Sequence, residues 1–352
     1  MHNLVDFLEI TILIPCYNAE HTLDRLFKSI IKQRYPKKYL SIICTNDGST
    51  DNTLQVLKNW QAKFGTECFT IIDQENQGLA ESRNILFNNV KTPYLTFIDS
   101  DDYYEKKALI NLCKSSDEGS ADITIGKIWR RNKNKKISFW LSNFKTHNIN
   151  QYIGNNLFFV WNKLYKTSFL KSNNFHWVKG CDMLEDQLFF TSIIPYVKKI
   201  RFSKHHTYNF VYSKNSMSAV EGGNQERKFN QAIQNLDAAI RNVLRERTFS
   251  QLEPREKKIL TGGIYNFLMQ IFSTFVLWPA FYGFDKQVQV SLRDSFYSEK
   301  RYIINEILNK YGIKFYTPFG WWRKFTFVVL NLKNRYDVNK YKMYDKNYKN
   351  KK

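Results

Sequence analysis

Four uncharged runs rich in β-branched and aromatic residues, at 10–14, 41–45, 69–72 and 94–98, are separated by stretches with the apolar spacing of helices. Leu23, Leu26, Phe27, Ile30 and Ile31 repeat with the period of one helical face, and Leu54, Val56 and Leu57 mark a second helix. A third helix opens at Gln77-Gly78-Leu79-Ala80 and holds Arg83 and Asn84. Strand and helix alternating through short turns require a parallel sheet with right-handed crossovers, which is an α/β architecture. The first run is expected to halt at Pro15-Cys16-Tyr17-Asn18. The second ends in Asn46-Asp47-Gly48-Ser49-Thr50-Asp51 and the fourth in Asp99-Ser100-Asp101-Asp102. Such turns share the carboxyl edge of the sheet, where open α/β folds bind ligands.

The acidic tetrad admits two readings. Asp and Ser are ordinary turn formers, but clustered carboxylates repel one another and lose hydration, so such a cluster also suits a cation. The other turns have roles if the ligand is a nucleoside diphosphate. Asp47 can accept hydrogen bonds from a base imide or a ribose hydroxyl, and Gly48 and Ser49 let the backbone approach a flat ring. Arg83 offers a planar fork to a base carbonyl or phosphate. The plainer alternatives are a tight Asp47-Gly48 turn and a surface arginine. No G-x-G-x-x-G and no G-x-x-x-x-G-K-[ST] occurs, which argues against a dinucleotide or P-loop site.

Pro15-x-Tyr17-Asn18, Asn46-Asp47-Gly48-Ser49-Thr50-Asp51, Ser82-Arg83-Asn84 and Asp99-Ser100-Asp101-Asp102 resemble, in order and spacing, the motifs of glycosyltransferase family 2. The resemblance runs from about residue 10 to 218. It implies a GT-A fold, a nucleotide-diphospho sugar donor (UDP being the expected nucleotide), Mn²⁺ or Mg²⁺, and single displacement with inversion. It also implies roles. Pro15, Tyr17, Asn18, Asp47, Arg83, Asp99, Ser100 and Asp101 would bind the donor. Asp101 would ligate the metal, and Asp99 would face the ribose or the metal's outer ligands. Trp161-Asn162-Lys163-Leu164-Tyr165 looks like the family's acceptor-side segment, with Trp161 and Lys163 as its contacts. Cys181-Asp182-Met183-Leu184-Glu185-Asp186-Gln187 looks like its Glu-Asp motif. Asp186 would be the base on the acceptor hydroxyl and Glu185 its neighbour. Asp182 competes for that role, and acidic residues also simply favour a helix N-terminus. His206, beside His205, is a candidate metal ligand, against the alternative of a structural histidine. Tyr208-x-Phe210, Lys214 and Ser216-Met217-Ser218 look like a loop closing over the donor phosphates. No Gln-x-x-Arg-Trp motif is present, which favours addition of one sugar or a short run.

The chain of 352 residues exceeds what a GT-A domain needs. The expected organisation is a catalytic domain at 1–220, with donor binding at about 10–126 and the acceptor side at about 127–220. A helical module at 221–332 and a basic tail at 333–352 follow. Phe229, Ile233, Leu236, Ile240, Val243 and Leu244 mark one helical face of that module. Residues 259–284 are uncharged and long enough to span a bilayer. Their polar positions (Asn266, Gln270, Ser273, Thr274) and Pro279 favour a buried packing or oligomer helix instead. A net charge of +21 points to acidic partners: anionic lipid, a phosphate-bearing polymer or nucleic acid. Without a nucleic-acid motif, the first two are favoured. Trp321-Trp322-Arg323-Lys324 and the Lys- and Tyr-rich tail suit an anionic membrane surface. Five cysteines without C-x-x-C read as reduced thiols, and residues 2–9 carry Asp6 and Glu9 and lack a leader pattern. The expected place is the cytoplasm, peripheral on the inner face of the membrane. The expected function is transfer of a sugar to a glycan, lipid-linked or glycoconjugate acceptor in surface polysaccharide or teichoic acid synthesis. The alternatives are a catalytically silent partner subunit, and a nucleotidyltransferase, whose Gly- and Lys-rich phosphate loop is missing after the first strand.

Overall fold

In a computed structural model, which describes residues 7–132, 135–138, 159–180, 185–211, 225–244, 247–272 and 286–313, the chain divides into two units, 1–219 and 220–352. In the first unit β1 (Ile10–Cys16) is buried along its whole length, because it lies between β2 (Leu40–Asp47) and β4 (Tyr94–Phe97), parallel to both. β3 (Phe69–Gln74) extends the parallel set beyond β2. Pro15 does not halt the first strand. The Leu13 carbonyl accepts the Ile98 N–H, so Leu13 faces β4, and Pro15, two residues on, faces the same side. Pairing with β4 ends at Leu13, so the N–H that proline lacks has no ladder partner to lose.

The crossovers are α1 (Leu23–Ile31), α2 (Thr53–Phe64) and α3 (Leu79–Asn88). On α1, Leu23, Leu26, Phe27 and Ile30 are buried, and the Phe27 ring lies 5.4 Å from Trp60 and 5.3 Å from Phe69. Each such side chain contributes about 1.5–3 kcal/mol by leaving water. Ile31, expected on the same face, is 53% exposed: it is the last residue of the helix and turns past the edge of the stripe.

Beyond the tetrad the sheet becomes mixed, which alternation alone does not foretell. β5 (Tyr103–Tyr104), β6 (Ile123–Asn132), β7 (Lys135–Ser138), β8 (Lys163–Lys166) and β9 (Ile200–Val211) join it, giving the order β3-β2-β1-β4-β8-β6-β9-β5 with β7 on β6. β8 runs antiparallel to both β4 and β6, whereas β6 and β9 are parallel. β7 pairs antiparallel with the end of β6, with Asn132 opposite Lys135. Helices α4 (Ala108–Ser115), α5 (Thr167–Ser172) and α6 (Glu185–Ile193) also belong to the described part of this unit.

The second unit is helical: α7 (Gln225–Leu244), α8 (Pro254–Phe272), α9 (Lys286–Ser295) and α10 (Arg301–Lys310). The six apolar residues of the α7 face are all buried. Asp237 of α7 accepts hydrogen bonds from Lys310 (2.9 Å) and Tyr311 (3.0 Å), which fastens it to the end of α10. On α8, Ile264, Phe267 and Leu268 are buried, and no helix among the described residues is long and apolar enough to cross a membrane. Phe275, Pro279, Trp321-Trp322 and the basic tail lie outside the described residues.

Candidate active site

The loops after β1 and β2 are stitched into one wall. Asn18, in the left-handed region at φ 47°, accepts the Thr50 N–H at 2.9 Å, and its own N–H donates to Ser49 Oγ at 3.0 Å. Asp51 accepts the Glu20 N–H at 3.1 Å, and Glu20 accepts the Asn52 N–H at 2.9 Å. Gly48 has φ 67°, and a Cβ there would lie 2.7 Å from the Asn76 nitrogen, so this turn requires glycine. Asp47 is buried beside it. Its Oδ1 accepts from Gln74 Nε2 and the Gln77 N–H, both at 2.8 Å, and its Oδ2 accepts the Gly78 N–H at 3.0 Å. Pro15 lies buried within β1, and Tyr17 is 49% exposed beyond its end.

Next to this wall three carboxylates converge on one guanidinium. Arg83 of α3 is 1% exposed. Its Nη1 donates to Glu185 at 2.7 Å and to Asp186 at 2.5 Å, and its Nη2 to Asp99 at 3.3 Å. The second oxygen of Asp186 accepts the Val160 N–H at 3.2 Å. Buried Lys163 donates to the carbonyls of Phe159 and Trp161, and its charge acts on Asp186. Three acids therefore share two cations away from water, and protonation follows that imbalance. Burial pushes Glu185 up to about 7 and Asp99 up to about 6, with Arg83 opposing both shifts. Burial raises Asp186 as well, again against Arg83, and lowers Lys163 to about 7. Asp101 is raised by burial, with Arg25 opposing, and its backbone carbonyl accepts Arg25 Nη2 at 2.5 Å. Ser100 is half-buried between Asp99 and Asp101. Asp102 stands apart: it accepts the Tyr208 hydroxyl and the Val211 N–H, both at 2.7 Å, and braces the turn.

Residues 11–179 match the profile of glycosyl transferase family 2. Over that segment, just under half of the chain, the protein is similar to that family. A poly(ribitol-phosphate) beta-glucosyltransferase of Bacillus spizizenii is 31% identical over 209 residues, 58% of this chain and 32% of that protein. The chain thus spans about a third of that relative's length. Among solved structures, Staphylococcus aureus TarS 1–349 in complex with UDP-GlcNAc superposes with a TM-score of 0.63 at 20% identity, over 85% of this chain and 84% of that one. A mannosyltransferase of Pyrobaculum calidifontis in complex with GDP-Man and Mn²⁺ gives 0.51 at 15% identity, over 85% and 84%. At these identities the likeness is one of fold, and the fold is GT-A with a helical C-terminal region. The family match ends before Glu185, so the Glu185–Asp186 pair is placed by the structure alone.

Within the family-2 segment, Asn84 ties α3 to Trp177: its side chain donates to the Trp177 carbonyl at 3.0 Å and accepts the Trp177 N–H at 2.8 Å. Trp161 is buried in a pile of rings, 4.4 Å from Phe159, 4.5 Å from Tyr208 and 5.6 Å from Phe210. His206, expected as a metal ligand, lies flat on Trp129 with ring centroids 3.6 Å apart. Among the described residues no group of three or more His, Cys, Asp or Glu side chains converges as a metal site. Asp99 and Asp101 nonetheless fit a divalent ion in kind. Carboxylate oxygens suit hard cations such as Mn²⁺ or Mg²⁺, and the charge on Asp101 raises the pKa of Asp99. Asp182, Lys214 and Ser216-Met217-Ser218 lie outside the described residues. Sequence reasoning missed the Val160 N–H on Asp186 and the Tyr208 hydroxyl on Asp102. A backbone donor leaves no mark in the sequence, and Tyr208, expected with Phe210 in a loop over the donor phosphates, lies instead buried within β9.

Proposed function

We propose that this chain is a metal-dependent, inverting glycosyltransferase that moves a sugar from a nucleotide-diphospho sugar, with UDP as the nucleotide, to a hydroxyl of a surface-polymer acceptor. The observation that carries this reading is the gathering of Asp99, Glu185 and Asp186 around Arg83 at the carboxyl edge of the parallel strands. The name of the Bacillus relative suggests a phosphodiester-linked polyol chain as acceptor. Lipid-linked and other glycan acceptors share the same hydroxyl chemistry. Work on such a polymer suits a place at the inner membrane face.

Asp186 takes the proton of the acceptor hydroxyl as its oxygen attacks the anomeric carbon. The bond from that carbon to the diphosphate breaks, and its electron pair leaves with the diphosphate. Arg83 and the Val160 N–H hold the Asp186 carboxylate in place for this. Glu185 borders the acceptor, and Trp161 and Lys163 form the wall behind it. Pro15, Tyr17, Asn18 and Ser100 line the donor side. A carboxylate has about four lone-pair sites, and Asp47 already uses three, so one on Oδ2 is left for a base N–H. Mn²⁺ or Mg²⁺ held by Asp101 and Asp99 would neutralise charge on the departing diphosphate.

The deciding measurement is nucleoside diphosphate release from UDP-, GDP- and dTDP-sugars with Mn²⁺, with and without EDTA. Turnover of one donor, abolished by EDTA and by Asp101→Ala, is the expected outcome. Asp186→Asn should lower transfer to an acceptor by about 10²–10⁴-fold while donor binding persists. Donor binding with no turnover for any acceptor tested would favour the silent-subunit reading.

A further inference from the structure

The face formed by α4, β6 and β9 carries an open depression of about 670 Å³. Lys106, Lys107 and Lys114 come from α4 and the turn before it, Trp129 from β6, and His205 and His206 from β9. The three lysines and His205 are exposed, while Trp129 and His206 are half-buried. The Trp129 and His206 rings are stacked face to face, 9° from parallel with centroids 3.6 Å apart, and the pair makes a platform one ring wide. Glu105 also lines the depression, but it sits 3.7 Å from Arg131, so the lysines dominate the local field. Lys107 holds φ 59°, a left-handed conformation that glycine or asparagine adopts more readily.

We propose that this depression binds the phosphodiester groups of a polyanionic polyol or glycan chain. The proposal rests on the glycosyltransferase reading only in taking that chain to be the acceptor. Ammonium groups on flexible stems meet phosphates as point charges, and a flat aromatic surface covers the apolar carbons between them. A lone phosphate would need no such platform, and an uncharged glycan would need no such lysines.

The test titrates the full chain with poly(ribitol phosphate), using dextran as the uncharged control. Phosphatidylglycerol vesicles and polyuridylate represent other anionic surfaces. Wild type should bind poly(ribitol phosphate) and not dextran, with affinity falling as salt rises. Lys106→Glu/Lys107→Glu/Lys114→Glu should lose about tenfold or more in affinity, and Trp129→Ala should weaken binding at unchanged salt dependence. Should the charge reversal unfold the chain by circular dichroism, Lys106→Gln/Lys107→Gln/Lys114→Gln removes the charge more gently and should still weaken binding. Unchanged polymer affinity in folded variants, or a loss confined to vesicles or polyuridylate, overturns the proposal. Hydrolysis of UDP-sugar is read in the same samples and should persist in the lysine variants. If wild type hydrolyses no donor yet polymer binding still depends on these lysines, the transferase reading fails and this site stands.

Discussion

Arg83 lies where the turn after β4 meets the start of α6, and its guanidinium touches acids of both, Asp99 on one side and Glu185 and Asp186 on the other. Removing it by Arg83→Ala leaves Asp99, Glu185 and Asp186 facing one another in a nearly dry site. Breaking such a buried pair costs about 3–5 kcal/mol, which a denaturant midpoint will register. Arg83→Lys should recover only part of this, because one ammonium cannot present the planar fork that reaches all three acids. The same cluster sets a pH dependence. Folding lifts Glu185 from an ordinary 4.5 to about 7 and Asp99 from 3.8 to about 6. Through that interval the folded chain holds protons that the unfolded chain has released, so stability falls as pH rises. The thermal midpoint of ligand-free protein should therefore decline between about pH 5 and pH 7. Glu185→Gln should flatten the decline, and an unchanged slope in that variant would refute the assignment.

At the scale of elements, the parallel half of the sheet was legible because β1 to β4 are apolar runs ending in turn residues, and local pattern is what fixes such strands. The mixed half was not. β8 is the four residues Lys163–Lys166, with a lysine at each end, and it is a strand because β4 and β6 flank it. Its approach depends on Gly126 in β6, where a Cβ would lie 1.8 Å from Thr207 Oγ1 and 2.8 Å from Asn162 Oδ1. Asn162 in turn bonds the Gly126 carbonyl at 2.6 Å from a left-handed backbone at φ 63°. Gly126→Ala should therefore cost about 1–3 kcal/mol by overpacking, seen as a lower thermal midpoint. Adding Thr207→Ala removes the clashing hydroxyl and should return part of that loss.

At the scale of the whole molecule, the charge of +21 is the property that no single element explains. Deleting 333–352 should weaken binding to anionic vesicles, measured by co-sedimentation, while leaving nucleotide-sugar hydrolysis intact. Vesicle binding that survives the deletion would sink the tail's role. The sequence by itself determined the α/β alternation, the edge on which the polar turns fall, and the family those turns resemble. Each is a matter of local order along the chain: strand, turn and helix are decided within a few residues. Only the tertiary structure decided that Arg83 serves three carboxylates, that Asp47 closes the start of α3, and that His206 lies on Trp129. Those partners stand tens to more than a hundred residues apart, and burial, not spacing, selects which charges must find one another.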